Sequence, residues 1–226
     1  MKIPNGCTIG TFISEDKNRF RCTVNIDGTT ETCYIASSCR LDNFIDLVGK
    51  TVLLKPTNGG KTEIRYAVFA VKHKRSYILL NSLLANSAIE NSLHSPKLAL
   101  LGRRTTYKKE FAVDAYKSDF YFPESQTVIE VKSVITAQKK AFFPTVYSER
   151  ALKQLKELEG LLEKGFNAHL IIVSLSPYVE EIEISRDTTF RVALMQCISR
   201  GLSVGAFTCR LSNDGRVRLD RRIPWY

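Results

Sequence analysis

The stretch that decides the fold is a short apolar run that carries a carboxylate and an amine two residues apart, Val128-Ile129-Glu130-Val131-Lys132-Ser133. Side chains alternate faces along a strand, so Glu130 and Lys132 are predicted to point one way and Ile129 and Val131 the other. A carboxylate and an ammonium on a β-rich strand are costly if they are buried without partners. They can be compensated by each other, by a metal ion or by an open cleft.

A second strand-like segment precedes this run and carries one more carboxylate. Residues 116–122 read Tyr-Lys-Ser-Asp-Phe-Tyr-Phe, which places Asp119 in their middle. The turn-forming residues 123–126, Pro-Glu-Ser-Gln, separate the two segments, so the pattern predicts a β-hairpin. The hairpin would hold an aspartate on one strand and Glu-x-Lys on the next, which is the pattern that metal-dependent nucleases use.

Hydrolysis of a phosphodiester requires an in-line water, neutralisation of the phosphate charge and help for the leaving oxygen. Divalent cations held by carboxylates supply all three, so Mg²⁺ or Mn²⁺ is the expected cofactor. We predict Asp119, Glu130 and the backbone carbonyl of Val131 as metal ligands, and Glu110 as a further ligand. Lys132 is predicted to orient the attacking water, which makes Asp119, Glu130 and Lys132 the catalytic set.

Glu-x-Lys on a strand is by itself a weak signal. The simplest alternative is that Glu130 and Lys132 form a partly buried structural ion pair, which would say little about function. The spaced Asp119, the helix predicted after the hairpin and the basic chain together favour a metal site.

The composition indicates a nucleic-acid partner. The 226 residues carry 33 Lys and Arg against 23 Asp and Glu, a formal net charge of +10. Such an excess suits a polyanion, because Lys and Arg neutralise phosphates and release their counterions. We expect DNA first and RNA as the alternative. The sequence shows neither a signal-peptide core nor an apolar run long enough for a bilayer, which predicts a cytoplasmic protein without a membrane partner.

Basic residues cluster along the chain and are predicted to contact nucleic-acid phosphates, although such runs are more often solvated surface. One cluster lies at the end of the first domain, two pairs lead into Glu110, and the last pair lies on the helix after the hairpin. The members are Lys72, Lys74 and Arg75; Arg103 and Arg104; Lys108 and Lys109; Arg150 and Lys153.

The order of elements predicts an α/β (α+β) chain of two domains. Residues 1–80 contain short alternating strands and glycine turns, which favours a small β-barrel of OB type. Residues 81–226 predict a mixed sheet flanked by helices. The clearest helix is expected at residues 149–164, between an N-cap at Ser148 and Gly165. Its buried stripe is predicted to be Leu152, Leu155, Leu158 and Leu162.

Several of these motifs resemble, in their order, the sugar fermentation stimulation protein family. They are Ile129 to Val134, Phe143-Pro144, Ser148-Glu149-Arg150 and Lys156-Glu157-Leu158, with Asn81 to Asn86 and Lys117 to Phe120 upstream. The resemblance covers most of residues 80–175. It implies an OB-like domain joined to a restriction-endonuclease-like PD-(D/E)xK domain that binds DNA. It also implies a nuclease-like site at Asp119, Glu130 and Lys132, with Glu110 at an upstream acidic position.

The sequence departs from the family pattern at residues 34–39, where a His-Cys-Pro-Asn-Thr-Gly-like stretch is replaced, and at Thr145, Ala151 and Gln154. Two functions stay open: a metal-dependent nuclease, and a non-catalytic, sequence-nonspecific DNA-binding regulator of sugar-utilisation genes. Carboxylates repel phosphate unless a cation intervenes, so the Asp…Glu-x-Lys set favours the nuclease. The apolar residues 223–226 could pack on their own domain or on a second copy, so a homodimer is one alternative.

Overall fold

The computed structural model describes residues 3–16, 20–36, 41, 44–57, 64–102, 106–114, 116–145, 147–185 and 188–226. Two predicted features fall outside these ranges: the basic pair Arg103 and Arg104, and the second half of the divergent segment 34–39, residues 37–39.

The first six strands form one sheet that closes into a barrel. They are β1 (Thr8–Glu15), β2 (Arg21–Ile26), β3 (Thr29–Ile35), β4 (Thr51–Pro56), β5 (Tyr66–His73) and β6 (Ser76–Leu79). Their order is β3-β2-β1-β4-β5-β6. The strand β3 also pairs in parallel with β5 through Tyr34 and Ala67, which closes a ring of five strands. The predicted OB-like barrel is therefore confirmed.

Alternation fills the barrel interior, and one close contact requires glycine. Cys22 and Val24 point inward and are fully buried. Phe20 has the same spacing but is 44% exposed, because it precedes β2 and has a φ of +75°. Gly10 lies where β1 crosses β2, and a Cβ there would be 2.5 Å from Val24 Cγ1. Any larger residue would push the two strands apart.

The second sheet has six strands and is mixed. They are β7 (Lys108–Val113), β8 (Tyr116–Phe122), β9 (Thr127–Val134), β11 (Asn167–Ser174), β13 (Ser203–Leu211) and β14 (Val217–Arg222). The order is β14-β13-β11-β9-β8-β7, and β11 runs parallel to both of its neighbours. A short turn at Pro123–Ser125 joins β8 to β9, as predicted, and their ladder runs from Phe122–Thr127 to Phe120–Ile129.

Two short strands, β10 (Lys140–Phe143) and β12 (Glu181–Ile184), pair in parallel beside this sheet. The apolar C-terminal residues extend the pair. The N–H of Ile182 donates to the Pro224 carbonyl at 3.0 Å, and the N–H of Ile184 donates to the Tyr226 carbonyl at 2.7 Å. These residues thus pack on their own domain, and the homodimer stays a prediction.

In the part of the chain that the structure describes, three α-helices accompany the sheets: α1 (Leu84–Glu90), α2 (Glu149–Glu163) and α3 (Thr189–Ser199). The predicted caps of α2 are confirmed, because Ser148 Oγ accepts from the Ala151 N–H at 3.2 Å and Gly165 has a φ of +87°. Its buried stripe differs from the prediction. Ala151, Leu155, Leu158 and Leu161 are buried, whereas Leu152 and Leu162 lie at the half-buried edges of the stripe. No helix among the described residues is both long and apolar enough to span a bilayer.

The two faces of the mixed sheet carry different helices. The face with Val128, Leu170 and Ile172 packs against α2 and α3. The opposite face, with Ile129 and Val131, packs against α1 and against the outside of the barrel. The barrel residues of this second core are Leu53, Phe69, Ala70, Tyr77 and Leu79. Strands on both sides of residue 80 thus share one core, and the proposed domain boundary there stays a prediction.

Candidate active site

The predicted alternation along β9 is present. Glu130 and Lys132 lie on the α2 face, and Lys132 Nζ is 2.6 Å from Glu130 Oε1. Ile129 and Val131 belong to the core on the other face. Glu130 is only 3% exposed, so its charge lies at the bottom of the site and depends on partners there.

Asp119 reaches this pair because the ladder between β8 and β9 ends one residue earlier. Beyond Phe120–Ile129 the two strands separate, and the free N–H of Val131 donates to Asp119 Oδ2 at 2.7 Å. Asn86 of α1 donates its amide to Asp119 Oδ1 at 3.0 Å. Burial raises the pKa of Asp119, and the nearby charge of Glu130 raises that pKa further.

The remaining carboxylate oxygen and the amine are also held. The Tyr116 hydroxyl donates to Glu130 Oε2. Burial raises the pKa of Tyr116, and the charge of Glu130 adds to the effect, so the phenol keeps its proton and acts as a donor. Lys132 Nζ also donates to Oε1 of Gln154, which α2 presents from across the face, at 2.5 Å. The structural ion pair is therefore real, but it is one contact within a larger network that includes a second carboxylate.

The network lies in an open cleft of about 680 Å³. Both helices contribute to it, as do the loop at Phe143-Pro144-Thr145 and the barrel residue Phe44. Of the predicted nucleic-acid contacts, Arg150 and Lys153 line this cleft. The exposed Lys117, which the sequence reasoning did not select, also lines it.

The other predicted basic residues of the described ranges do not line the cleft. Lys109 forms an ion pair with Glu90 at 2.8 Å, and the Lys108 ammonium lies 4.3 Å from the ring centroid of Phe111. Lys72, Lys74 and Arg75 are exposed at the hairpin between β5 and β6, where Lys74 lies over the Tyr178 ring. Their contact with nucleic acid stays a prediction.

Glu110 lines the cleft, but the structure does not bring it to the other two carboxylates. Its side chain is exposed and forms an ion pair with Lys117 at 2.6 Å. Among the described residues, no three His, Cys, Asp or Glu side chains lie close enough together to hold one metal ion. The two carboxylates that do converge are Asp119 and Glu130. The Val131 N–H donates to Asp119, and the predicted role of the Val131 carbonyl as a metal ligand stays a prediction.

Sequence reasoning missed three side chains that hold the site: Asn86, Tyr116 and Gln154. Each one holds a different member of the Asp119–Glu130–Lys132 set. Tyr116 offered a signal, since a tyrosine in an otherwise apolar strand position needs a partner for its hydroxyl. Asn86 and Gln154 lie on helices. The family resemblance in the sequence singles out both positions, Asn86 within a matching stretch and Gln154 as a departure, but neither indicates which group it would hold.

Comparison with known proteins assigns the family. The sequence model of the Sugar fermentation stimulation protein RE domain matches residues 83–215, which is more than half of the chain. The chain belongs to the sugar fermentation stimulation protein family. A homolog from Saccharolobus solfataricus is 32% identical over 196 residues, which cover 85% of this chain and 75% of that protein. A homolog from Ruminiclostridium cellulolyticum is 27% identical over 220 residues, which cover 95% of each chain.

A solved structure of the same family has the same fold. It is described as the structure of Pyrococcus furiosus SfsA in complex with Ca²⁺. It matches with a TM-score of 0.80 and 21% sequence identity, over 100% of this chain and 98% of the other. The resemblance that the sequence motifs carry is therefore confirmed at the level of family and fold. The matched range of the sugar fermentation stimulation protein family model contains Asp119, Glu130 and Lys132.

Proposed function

We propose that this protein is a metal-dependent nuclease that acts on DNA. The observation that carries the proposal is the convergence of one buried carboxylate (Glu130), one half-buried carboxylate (Asp119) and the amine of Lys132 in an open cleft. An ion pair alone would need one carboxylate. The second carboxylate adds repulsion between Asp119 and Glu130. A fold tolerates such repulsion where the working protein binds a cation between the two groups.

The donor set suits a hard divalent cation. Carboxylate oxygens are the ligands that Mg²⁺, Mn²⁺ and Ca²⁺ prefer, and Mg²⁺ keeps several waters when it binds one or two carboxylates. Two converging carboxylates are therefore sufficient, and the distance of Glu110 from them is no obstacle. The Ca²⁺ complex of the Pyrococcus furiosus relative supports a cation at this fold. A cation bound here would neutralise phosphate charge and lower the pKa of a bound water.

The residues around the cation site have separate tasks in hydrolysis. A water oxygen forms a new bond to phosphorus while the bond from phosphorus to one sugar oxygen breaks, and the water's protons go to solvent and to the leaving oxygen. Lys132, held by Glu130 and Gln154, would orient that water and offset the growing negative charge. Tyr116 and Asn86 would keep the two carboxylates in place.

The test is cleavage of labelled DNA and RNA, single- and double-stranded, with Mg²⁺, Mn²⁺ or a chelator. Glu130→Gln should abolish metal-dependent cleavage, because the cation loses a charged ligand. Lys132→Ala should abolish cleavage while nucleic-acid binding stays nearly intact. Lys139→Ala is the matched control, since Lys139 is exposed and pairs with Glu180 away from the cleft.

A different result would favour the second candidate, a non-catalytic DNA-binding regulator. Lys132 supplies a counter-charge for Glu130 at 2.6 Å, and such an ion pair does not itself require a cation. Salt-sensitive DNA binding without cleavage under any metal, unchanged in Glu130→Gln, would overturn the nuclease proposal and support this alternative.

A further inference from the structure

The two sides of the cleft differ in chemistry. The helix α2 lies on the face of the sheet that carries Glu130, and it contributes the basic residues Arg150 and Lys153. The start of α1 lies on the opposite face, beside the barrel, and contributes Leu83. The catalytic network lies between them, where β8 and β9 separate.

Arg150 is the strongest anion-binding group of the basic side. It is exposed, and it forms no ion pair with any of the described residues. Lys153 lies 3.8 Å from Glu157, and Lys117 lies 2.6 Å from Glu110, so both lysines share their charge with a neighbour in the free protein. An incoming phosphate would therefore contact Arg150 first, and its guanidinium can bind two phosphate oxygens at once.

The opposite side is apolar and open. Leu83 is 69% exposed, although leucine at a helix start gains nothing from water. Phe44 of the barrel and Ile135, which follows β9, continue this side, and both are partly buried. These three residues, Phe44, Leu83 and Ile135, all line the cleft, and they are called the apolar wall below.

The position of the wall is fixed by packing. The barrel strands β4 to β6 share a core with the sheet through residues such as Leu53, Phe69 and Leu79. The Leu79 N–H donates to the Leu175 carbonyl at 2.9 Å, which ties the barrel to the end of β11. The volume of about 680 Å³ lies within the range of ordinary ligand pockets, so the cleft admits few nucleotides at a time.

We propose that the cleft binds a single strand of DNA, with phosphates toward Arg150 and bases toward the apolar wall. A single strand has one charged edge and one apolar edge, and its unstacked bases gain by packing on apolar side chains. A duplex shows charged backbone on its outside and keeps its bases stacked inside, so the apolar wall would meet nothing suitable. This inference rests on the proposed function for the identity of the partner, and adds the strandedness of the substrate.

The test is binding, measured with Mg²⁺ in protein that carries Lys132→Ala, so that a cation can offset the carboxylates while cleavage plays no part. A labelled single strand, the same sequence as a blunt duplex, and the same sequence as single-stranded RNA are titrated by fluorescence anisotropy. The single DNA strand should bind at least about ten-fold tighter than the duplex. Leu83→Ser should weaken single-strand binding about ten-fold, the order expected when the burial of a leucine side chain against a base is lost, and leave duplex binding unchanged.

Further variants distinguish the contribution of the apolar wall from that of the basic side. Val192→Ser is the control for Leu83→Ser, because Val192 is 58% exposed on α3, outside the cleft, and it should change nothing. Arg150→Gln should weaken binding of the single strand and lower the slope of affinity against salt by about one counterion, whereas Arg222→Gln, at an exposed position outside the cleft, should not.

Each outcome decides the inference. The inference is overturned if the duplex binds as tightly as the single strand or more tightly, or if no nucleic acid binds. It is also overturned if Leu83→Ser weakens single-strand and duplex binding equally. Tighter binding of single-stranded RNA than of single-stranded DNA would overturn the choice of DNA and assign RNA instead. Failure of the proposed function is distinguishable, because a protein that prefers single strands but never cleaves with metal contradicts only the nuclease. A protein that cleaves single strands and duplexes equally, and binds them equally, contradicts only the strandedness.

Discussion

The two faces of β9 differ in chemistry, although their residues alternate along one strand: one face is apolar and the other is charged. On one face Ile129 and Val131 are buried in the core that barrel and sheet share, where each methyl group adds stability. On the other face Glu130 and Lys132 are held by Tyr116, Gln154 and each other, beside a second carboxylate whose pKa is raised by burial and repulsion. The apolar face anchors β9 in the core. That stability allows the opposite face to hold charged groups that are unfavourable for folding.

The largest effect is expected on the apolar face. Ile129→Ala should lower the free energy of unfolding by about 3 kcal/mol, because it leaves a cavity in a fully packed core. Urea unfolding measures the loss. Ile13→Ala, at a barrel residue that is 40% exposed, should cost less than about 0.5 kcal/mol. Equal losses at the two positions would show that the shared core is not the anchor.

A smaller loss is expected where the charged face is tied down. Tyr116→Phe should lower the free energy of unfolding by about 2 kcal/mol, because Glu130 Oε2 loses its buried donor. It should also weaken Ca²⁺ or Mg²⁺ binding measured by calorimetry. Tyr121→Phe is the control, since Tyr121 lies half-buried on the same strand and its hydroxyl bonds to none of the described residues. A stable Tyr116→Phe with unchanged metal affinity would argue that Glu130 needs no such positioning.

Removal of the repulsion between Asp119 and Glu130 should stabilise the protein instead of destabilising it. Asp119→Asn should raise the metal-free free energy of unfolding by about 1 kcal/mol, as is common when a functional charge is neutralised. An asparagine can still accept from the Val131 N–H, and the Asn86 amide can turn its oxygen toward it. The thermal shift caused by Ca²⁺ should disappear in the same variant. Asp114→Asn, at an exposed position that pairs with Lys164, should change neither quantity.

The smallest effect concerns pH and lies away from the cleft. Burial lowers the pKa of His169, whose Nδ1 is buried without a hydrogen-bond partner, and the pKa of His73 is lowered as well. The unfolded chain takes up protons near the ordinary pKa of about 6.5, whereas the folded chain resists them. Stability should therefore be complete above about pH 6.5 and fall as the pH is lowered through the depressed folded values.

His169→Leu should flatten part of that decline in urea titrations at a series of pH values, because one of the two resisting groups is gone. His94→Gln, at an exposed histidine, should leave the decline unchanged. An identical pH profile in His169→Leu and in the parent protein would assign the decline to other groups.

Local signals allowed much of this to be predicted from sequence. The hairpin, the common face of Glu130 and Lys132, and the caps of α2 at Ser148 and Gly165 depend on neighbours within a few residues. Asn86, Tyr116 and Gln154, which support the site, could not be predicted from local signals. They lie 33, 14 and 22 residues along the chain from the groups that they hold. Only the packing of α1, β8 and α2 around β9 brings them there.

The same limit explains why the structure does not bring every predicted site residue to one place. Glu110 lies on β7, next to the strand that carries Asp119. Its backbone has a φ of +50°, and the pairing of β7 with β8 is interrupted at this residue. The side chain therefore turns to Lys117 at the rim. The basic clusters were chosen by proximity in sequence, and among their members in the described ranges Arg150 and Lys153 on α2 line the cleft.

The core shared by the barrel and the sheet has a consequence for how this protein can be divided. A fragment cut after residue 80 would expose Leu53, Phe69, Tyr77 and Leu79 together on one side of an otherwise closed barrel. Such a contiguous apolar patch favours aggregation, and its loss would also leave the α1 side of the sheet uncovered. The two sheets should therefore melt together as one cooperative unit, and studies of either half in isolation would describe a molecule whose surface the intact chain never presents.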